Sequence, residues 1–229
     1  MSRFILFFLV IHSLGGAPCA FAQQNTLLYS IKHEDSKFTS YLYGTMHVMS
    51  EENFFFPSEI EDILSSCDAL CLEIENISDQ SIDPSSLFDT DKQLKDFCTL
   101  SQWDSIVSWA EKDLLMSKEN FETNFKNAKP FLLMQFMLQN TLPPVYKSHE
   151  EELEKTAARF KLKSLGFETI DEQLNIFNSI DYATQIELLM SQLRELDKSK
   201  EEFSIMETLY NAQDLDSLCA YTESDIMNM

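Results

Sequence analysis

Glycine and proline are scarce in this chain of 229 residues, with 4 Gly and 6 Pro. The glycines stand at positions 15, 16, 44 and 166. No G-x-G-x-x-G or G-x-x-x-x-G-K loop can be built from them, which excludes the common phosphate-cradling nucleotide sites. Positive charge is equally thin. The 17 Lys plus Arg face 38 Asp plus Glu, for a formal net charge of −21. A field of that sign repels phosphate, so nucleic acid and anionic lipid are poor partners. No apolar run reaches the ~20 residues that cross a bilayer. No fixed repeat, low-complexity tract or linker divides the chain, and its hydrophobic fraction of 44% suits one globular domain.

What is present begins with a leader pattern. Arg3 supplies a positive start, Phe4 to Leu14 form a short apolar stretch, and Ala20-Phe21-Ala22 fits small-x-small cleavage. Residues 1–22 read as a signal peptide cleaved near Ala22, leaving 23–229 as a domain in the periplasm or secreted. Export leaves Cys67, Cys71, Cys98 and Cys219, an even number in an oxidising compartment. One disulfide, of Cys67 or Cys71 with Cys98, is the expectation, and Cys71 within an apolar run reads as a buried thiol.

Strands are predicted at 27–31 and 38–43, joined by a polar turn, because both are rich in β-branched and aromatic residues. Pro57 opens a helix carrying Ile60, Ile63 and Leu64, and Ala69 to Ile74 reads as a buried strand. From Asp91 to Asn140 the pattern is helical, with Trp103, Ile106, Val107 and Ala110 on one face. Ser148 with Glu151, and Thr169 with Glu172, form capping boxes on either side of a strand near 162–165. Asp181 caps a further helix, and beyond Lys200 the chain is acidic and weakly periodic.

Three places could carry chemistry. Gly44 ends a strand and would let the chain turn so that His47 projects from a sheet edge, where imidazole binds metal or moves protons. Glu73 and Glu75 alternate on a strand and so point to one side, and Glu73 follows an apolar run in which an unpaired carboxylate is costly. Glu168 ends the next strand, while capping accounts for Glu172. His33 and His149, in polar contexts, read as surface residues.

In order, a strand leading into Gly44-Thr45-Met46-His47, an apolar strand ending at Glu73, and a strand leading into Gly166-Phe167-Glu168-Thr169 with Glu172-Gln173 resemble the TraB/GumN family, to which the Tiki metalloproteases are related. The matching stretches are Tyr41–Val48, Asp68–Ile74 and Ser164–Phe177, spread over about residues 26–200. The resemblance implies a helix-rich α/β fold whose central sheet holds the strands before the GTMH motif, before Glu73 and before Glu168. It also implies a metal-dependent hydrolytic site. His47, Glu73 and Glu168 match the family's histidine and acidic positions. On that basis His47 and a carboxylate would hold a divalent ion such as Mn or Co, which activates water against a peptide carbonyl, with the remaining carboxylate as general base.

The sequence departs from the family pattern in having no Arg-Asn pair and no second G-x-x-H. The expectation is a domain incomplete at its C-terminal end and a site short of one ligand. Three functions follow: a metal-dependent peptidase or hydrolase with an incomplete site, a catalytically inactive binder of an exported peptide or small ligand, or a truncated remnant.

Overall fold

The computed structural model describes residues 26–35, 37–74 and 83–227. The signal-peptide reading of 1–22 and the expectation for Glu75 fall outside them. Strand β1 (Leu28–Lys32) pairs antiparallel with β2 (Thr39–Tyr43), Leu28 opposite Tyr43. The chain then passes through the GTMH segment into β3 (Met49–Ser50), and α1 (Ser58–Ser65) turns Ile60 and Leu64 inward. Strand β4 (Ala69–Ile74) follows, with the bounds its apolar run predicts.

A helical block comes next: α2 (Leu100–Asp113), α3 (Lys118–Phe125) and α4 (Pro130–Thr141). Pro130 occupies the first turn of α4, where its missing N–H costs nothing. Strand β5 (Tyr146–Lys147) pairs with β3, and α5 (His149–Phe160) leads to β6 (Lys163–Glu168), which lies parallel to β4. The chain closes with α6 (Ile170–Ser179), α7 (Tyr182–Arg194), α8 (Leu196–Asn211) and α9 (Leu215–Met227).

The helix-rich α/β class holds, but the strands form three two-stranded sheets among the described residues, where one central sheet was expected. Three apolar clusters do the work of one core. Trp103, Ile106, Val107 and Ala110 of α2 meet Phe121, Leu133, Met137, Ile186 and Leu189 in the helical block. Leu70 and Leu72 of β4 meet Ile60 and Leu64 of α1 and Leu153 and Ala157 of α5. The third joins Leu27, Met46 and Met49 to Phe203, Met206, Tyr210 and Leu218.

That third cluster corrects the reading of the tail. Residues beyond Lys200 look weakly patterned because the buried set is sparse and includes Glu207, yet α8 and α9 cover the GTMH segment. Glu207 is 3% exposed and accepts hydrogen bonds from the Ser50 backbone N–H, the Ser50 hydroxyl (3.1 Å) and the Asn53 amide (2.9 Å). A carboxylate with three donors can be buried.

The cysteine expectations are corrected as well. Cys67, Cys71 and Cys98 are free thiols, so the expected disulfide is not formed. Cys71 is exposed because strand alternation turns it away from Leu70 and Leu72. Cys98 packs on the helical block instead, and burial pushes its thiol pKa up to about 11.

Candidate functional site

His47 sits just past β2, and its neighbours decide its chemistry. Its Nδ1 stands 3.2 Å from Glu150 and its Nε2 3.5 Å from Glu73. The imidazole is 42% exposed, Glu73 25% and Glu150 only 6%. Burial disfavours the charged imidazolium, but the hydrogen bonds and charges of Glu150 and Glu73 outweigh it and raise its pKa to about 9. Burial likewise disfavours the Glu150 anion. Contacts with His47 and Thr45 prevail and hold its pKa at about 2.

Each carboxylate is held from behind. The Thr45 hydroxyl donates to Glu150 Oε1 at 2.6 Å, and the Ser148 hydroxyl donates to Oε2 at 2.9 Å. Glu150 lies in the first turn of α5, where the helix field favours an anion. The Gln173 amide, from the first turns of α6, donates to Glu73 Oε1. Thr169 and Glu172 fix the start of α6 with the reciprocal capping box expected of them. At α5 the Ser148 hydroxyl accepts from the Glu151 N–H, and its own proton goes to Glu150.

Gly44 contributes less than expected. Its φ lies outside the left-handed region, and a Cβ there would meet the Leu27 side chain at 3.5 Å, an ordinary contact. The segment is held by its partners instead. Gly44 N–H donates to Leu27 at 2.8 Å, and the Tyr210 hydroxyl of α8 donates to the Gly44 carbonyl at 2.8 Å.

His149 is not a surface residue but fully buried, at 0% exposure. Its Nδ1 lies 3.0 Å from the Met46 carbonyl oxygen and its Nε2 3.0 Å from that of Phe55. Tyr43, Phe54, Phe56 and Tyr210 surround the ring. A helix-start histidine in a polar run resembles a surface residue in sequence. Here the aromatic Phe54–Phe56 loop folds over it.

Glu168 ends β6 beside Ile74, on the opposite face of the β4–β6 pair from Glu73. Its Oε2 is buried without a hydrogen-bond partner among the described residues. The structure thus joins His47 to Glu73 and adds Glu150. Three consecutive glutamates, Glu150, Glu151 and Glu152, open α5, and no sequence signal separates the first from the others.

The donor chemistry of His47 and Glu73 fits a divalent ion. Two donors on one ion at about 2.1 Å each stand roughly 3.0 to 3.4 Å apart, close to the 3.5 Å between Nε2 and Oε2. A carboxylate on the other ring nitrogen, as Glu150 provides, orients a metal-binding imidazole. Among the described residues no three His, Cys, Asp or Glu side chains are arranged to hold a metal. The two carboxylates bracket the ring from opposite nitrogens and do not converge on one point.

A histidine at a strand exit, clasped by carboxylates from a parallel strand and a helix N-terminus, defines a helix-rich α/β protein with one polar candidate site. The chain belongs to the TraB/PrgY/gumN family, whose model matches residues 27–229. No curated protein and no solved structure matches it.

Proposed function

We propose that this is an exported, metal-dependent hydrolase of the peptidase kind, with His47 and Glu73 as its metal-binding residues. The observation that carries the reading is the pairing of His47 Nε2 with Glu73 Oε2, each group held through its other polar atom by Glu150 or Gln173. A divalent ion such as Mn or Co would supply Lewis-acid polarisation of a carbonyl and a more acidic water. Glu150, 3.2 Å from Nδ1, orients the His47 ring. Glu168 is half-buried, with its Oε2 unpartnered among the described residues. It lies on the opposite face of the β4–β6 pair from Glu73, so it would serve as a proton acceptor and not share the ion held by His47 and Glu73. Export rests on the leader pattern of residues 1–22.

Calorimetric titration of the 23–229 chain with Mn and Co tests the reading. One ion per chain, lost in His47→Ala and weakened in Gln173→Ala, is the expected result. Affinity unchanged in His47→Ala would end it. A second reading, an inactive binder of a peptide or small ligand, is favoured by the absence of a three-ligand cage among the described residues. Ligand retention without turnover in the metal-loaded protein would select it.

A further inference from the structure

Parallel strands are ordinarily covered on both faces, and among the described residues the β4–β6 pair departs from that rule. Leu70 and Leu72 bury one face against α1 and α5. On the other face Cys71 is exposed, Leu165 is half-buried and Phe167 is 76% exposed. The register sets Ile74 beside Glu168 and Leu72 beside Gly166, so Phe167 stands beside Glu73 on this bare face. The apolar surface therefore runs directly up to a residue of the candidate site.

The charge around it is mainly negative, the cations being Lys163 at the far end of β6 and His47 against Glu73. No Lys, Arg or His occurs between residues 48 and 91, the stretch that includes β4, or between 164 and 193, which holds β6 after Lys163, all of α6 and α7 as far as Leu193. The charged groups nearest Phe167 along the two chain segments are Glu73, Glu168, Asp171, Lys163 and Glu172. Lys163 opens β6 on the Phe167 face, Glu168 lies on the opposite face, and Asp171 and Glu172 are exposed. A second copy of a chain with net charge −21 would bring like charge to like charge. An extended segment presents alternate side chains to opposite sides, so apolar groups can lie on Phe167 and Leu165 while cations reach the exposed Asp171 and Glu172.

We infer that the bare face of the β4–β6 pair, centred on Phe167 and leading to Glu73, is the docking surface for an extended, lysine- or arginine-rich peptide segment. This deepens the hydrolase reading by naming its substrate class, but its test involves neither metal nor turnover. Loss of metal binding would overturn the hydrolase and leave the docking surface standing, and the converse also holds.

The probe is a labelled peptide, Gly-Lys-Phe-Lys-Leu-Lys-Gly, beside a counterpart with Glu at each Lys position, both titrated against the 23–229 chain by fluorescence anisotropy. Preferred binding of the lysine peptide, weakening as salt rises, is expected. Phe167→Ser should reduce affinity about ten-fold, the scale of one buried aromatic contact. Asp171→Lys, an exposed change, should weaken it several-fold while circular dichroism stays that of the parent. Equal binding of both peptides, or no effect of either substitution, would overturn the proposal. So would dimerisation of the parent chain abolished by Phe167→Ser, which would assign the face to a second copy. Binding seen only after residues 75–82 are replaced by Gly and Ser would assign the face to the chain's own segment and also overturn it.

Discussion

Folding raises the His47 pKa from 6.5 to about 9 and lowers that of Glu150 from 4.5 to about 2. A group whose pKa rises on folding holds its proton more tightly in the native state, so protonation stabilises the fold. The His47 contribution is complete below pH 6.5 and is lost as pH climbs through about 9. The Glu150 contribution is complete above pH 4.5 and is lost as pH falls through about 2. Melting curves across the alkaline window should show Tm falling with pH, and His47→Ala should flatten that limb. Because the imidazole is 42% exposed, added salt should reduce the effect. A parent chain and His47→Ala with identical alkaline limbs would show that the pair does not couple to folding. Gly44→Ala gives a second check at this scale. With no left-handed φ and an ordinary contact for the new Cβ, it should leave Tm unchanged or slightly raised. His149→Ala should cost about 3 kcal/mol in chemical denaturation, because it removes a fully buried ring and strands the polar groups around it. His47 was legible as a candidate because it stands three residues past a glycine at a strand end, and Glu73 because it follows an apolar run at the end of a strand. His149 was not, since its polar sequence neighbours are not its spatial neighbours, which are Phe54, Phe56 and Tyr210.

Elements position the site through their ends. Strand β4 terminates beside Glu73, α5 begins at the pair His149 and Glu150, and α6 delivers Gln173 in its first turns. The start of α6 depends on Thr169, whose hydroxyl accepts from the Glu172 N–H. Thr169→Ala should therefore cost about 1 kcal/mol, measured by urea denaturation. It should also loosen Gln173 from Glu73, which metal titration would register as weaker binding. A change in stability with metal affinity intact would mean that the cap supports the helix alone. Local signals of this kind survive in sequence because they depend on residues three or four apart. The bounds of β4, Pro130 at the start of α4, and the caps at Thr169 and Asp181 were all readable for that reason. The reciprocal box assigned to Ser148 and Glu151 was only half right: the Ser148 hydroxyl accepts from the Glu151 N–H, but the return bond from the Ser148 N–H to the Glu151 side chain is not formed.

For the whole molecule, the consequential feature is the return of α8 and α9 over the GTMH segment. Phe203, Met206, Tyr210 and Leu218 complete the cluster with Leu27, Met46 and Met49, and Tyr210 donates to the Gly44 carbonyl. Removing residues 196–227 should expose that cluster, abolish a single cooperative melting transition and increase binding of a hydrophobic dye. A truncated chain that still melts as sharply as the parent would show α8 and α9 to be dispensable. The tail was misread because periodicity weighs apolar spacing within one helix, whereas α8 also contributes the buried polar groups Glu207 and Tyr210.

By itself the sequence determined the helix-rich α/β class, the bounds of β4, the starts of several helices and the candidates His47, Glu73 and Glu168, through patterns carried by neighbours within a few residues. The tertiary structure alone decided that the strands divide into three pairs and that Glu150, not Glu151 or Glu152, faces His47. It also set Glu168 and Glu73 on opposite faces of one strand pair, with a bare apolar face leading to Glu73. The physical reason is distance along the chain. Glu150 and Thr45 are 105 positions apart, and Glu73 and Gln173 are 100. No local pattern encodes contacts of that separation, which form only when packing brings the segments together.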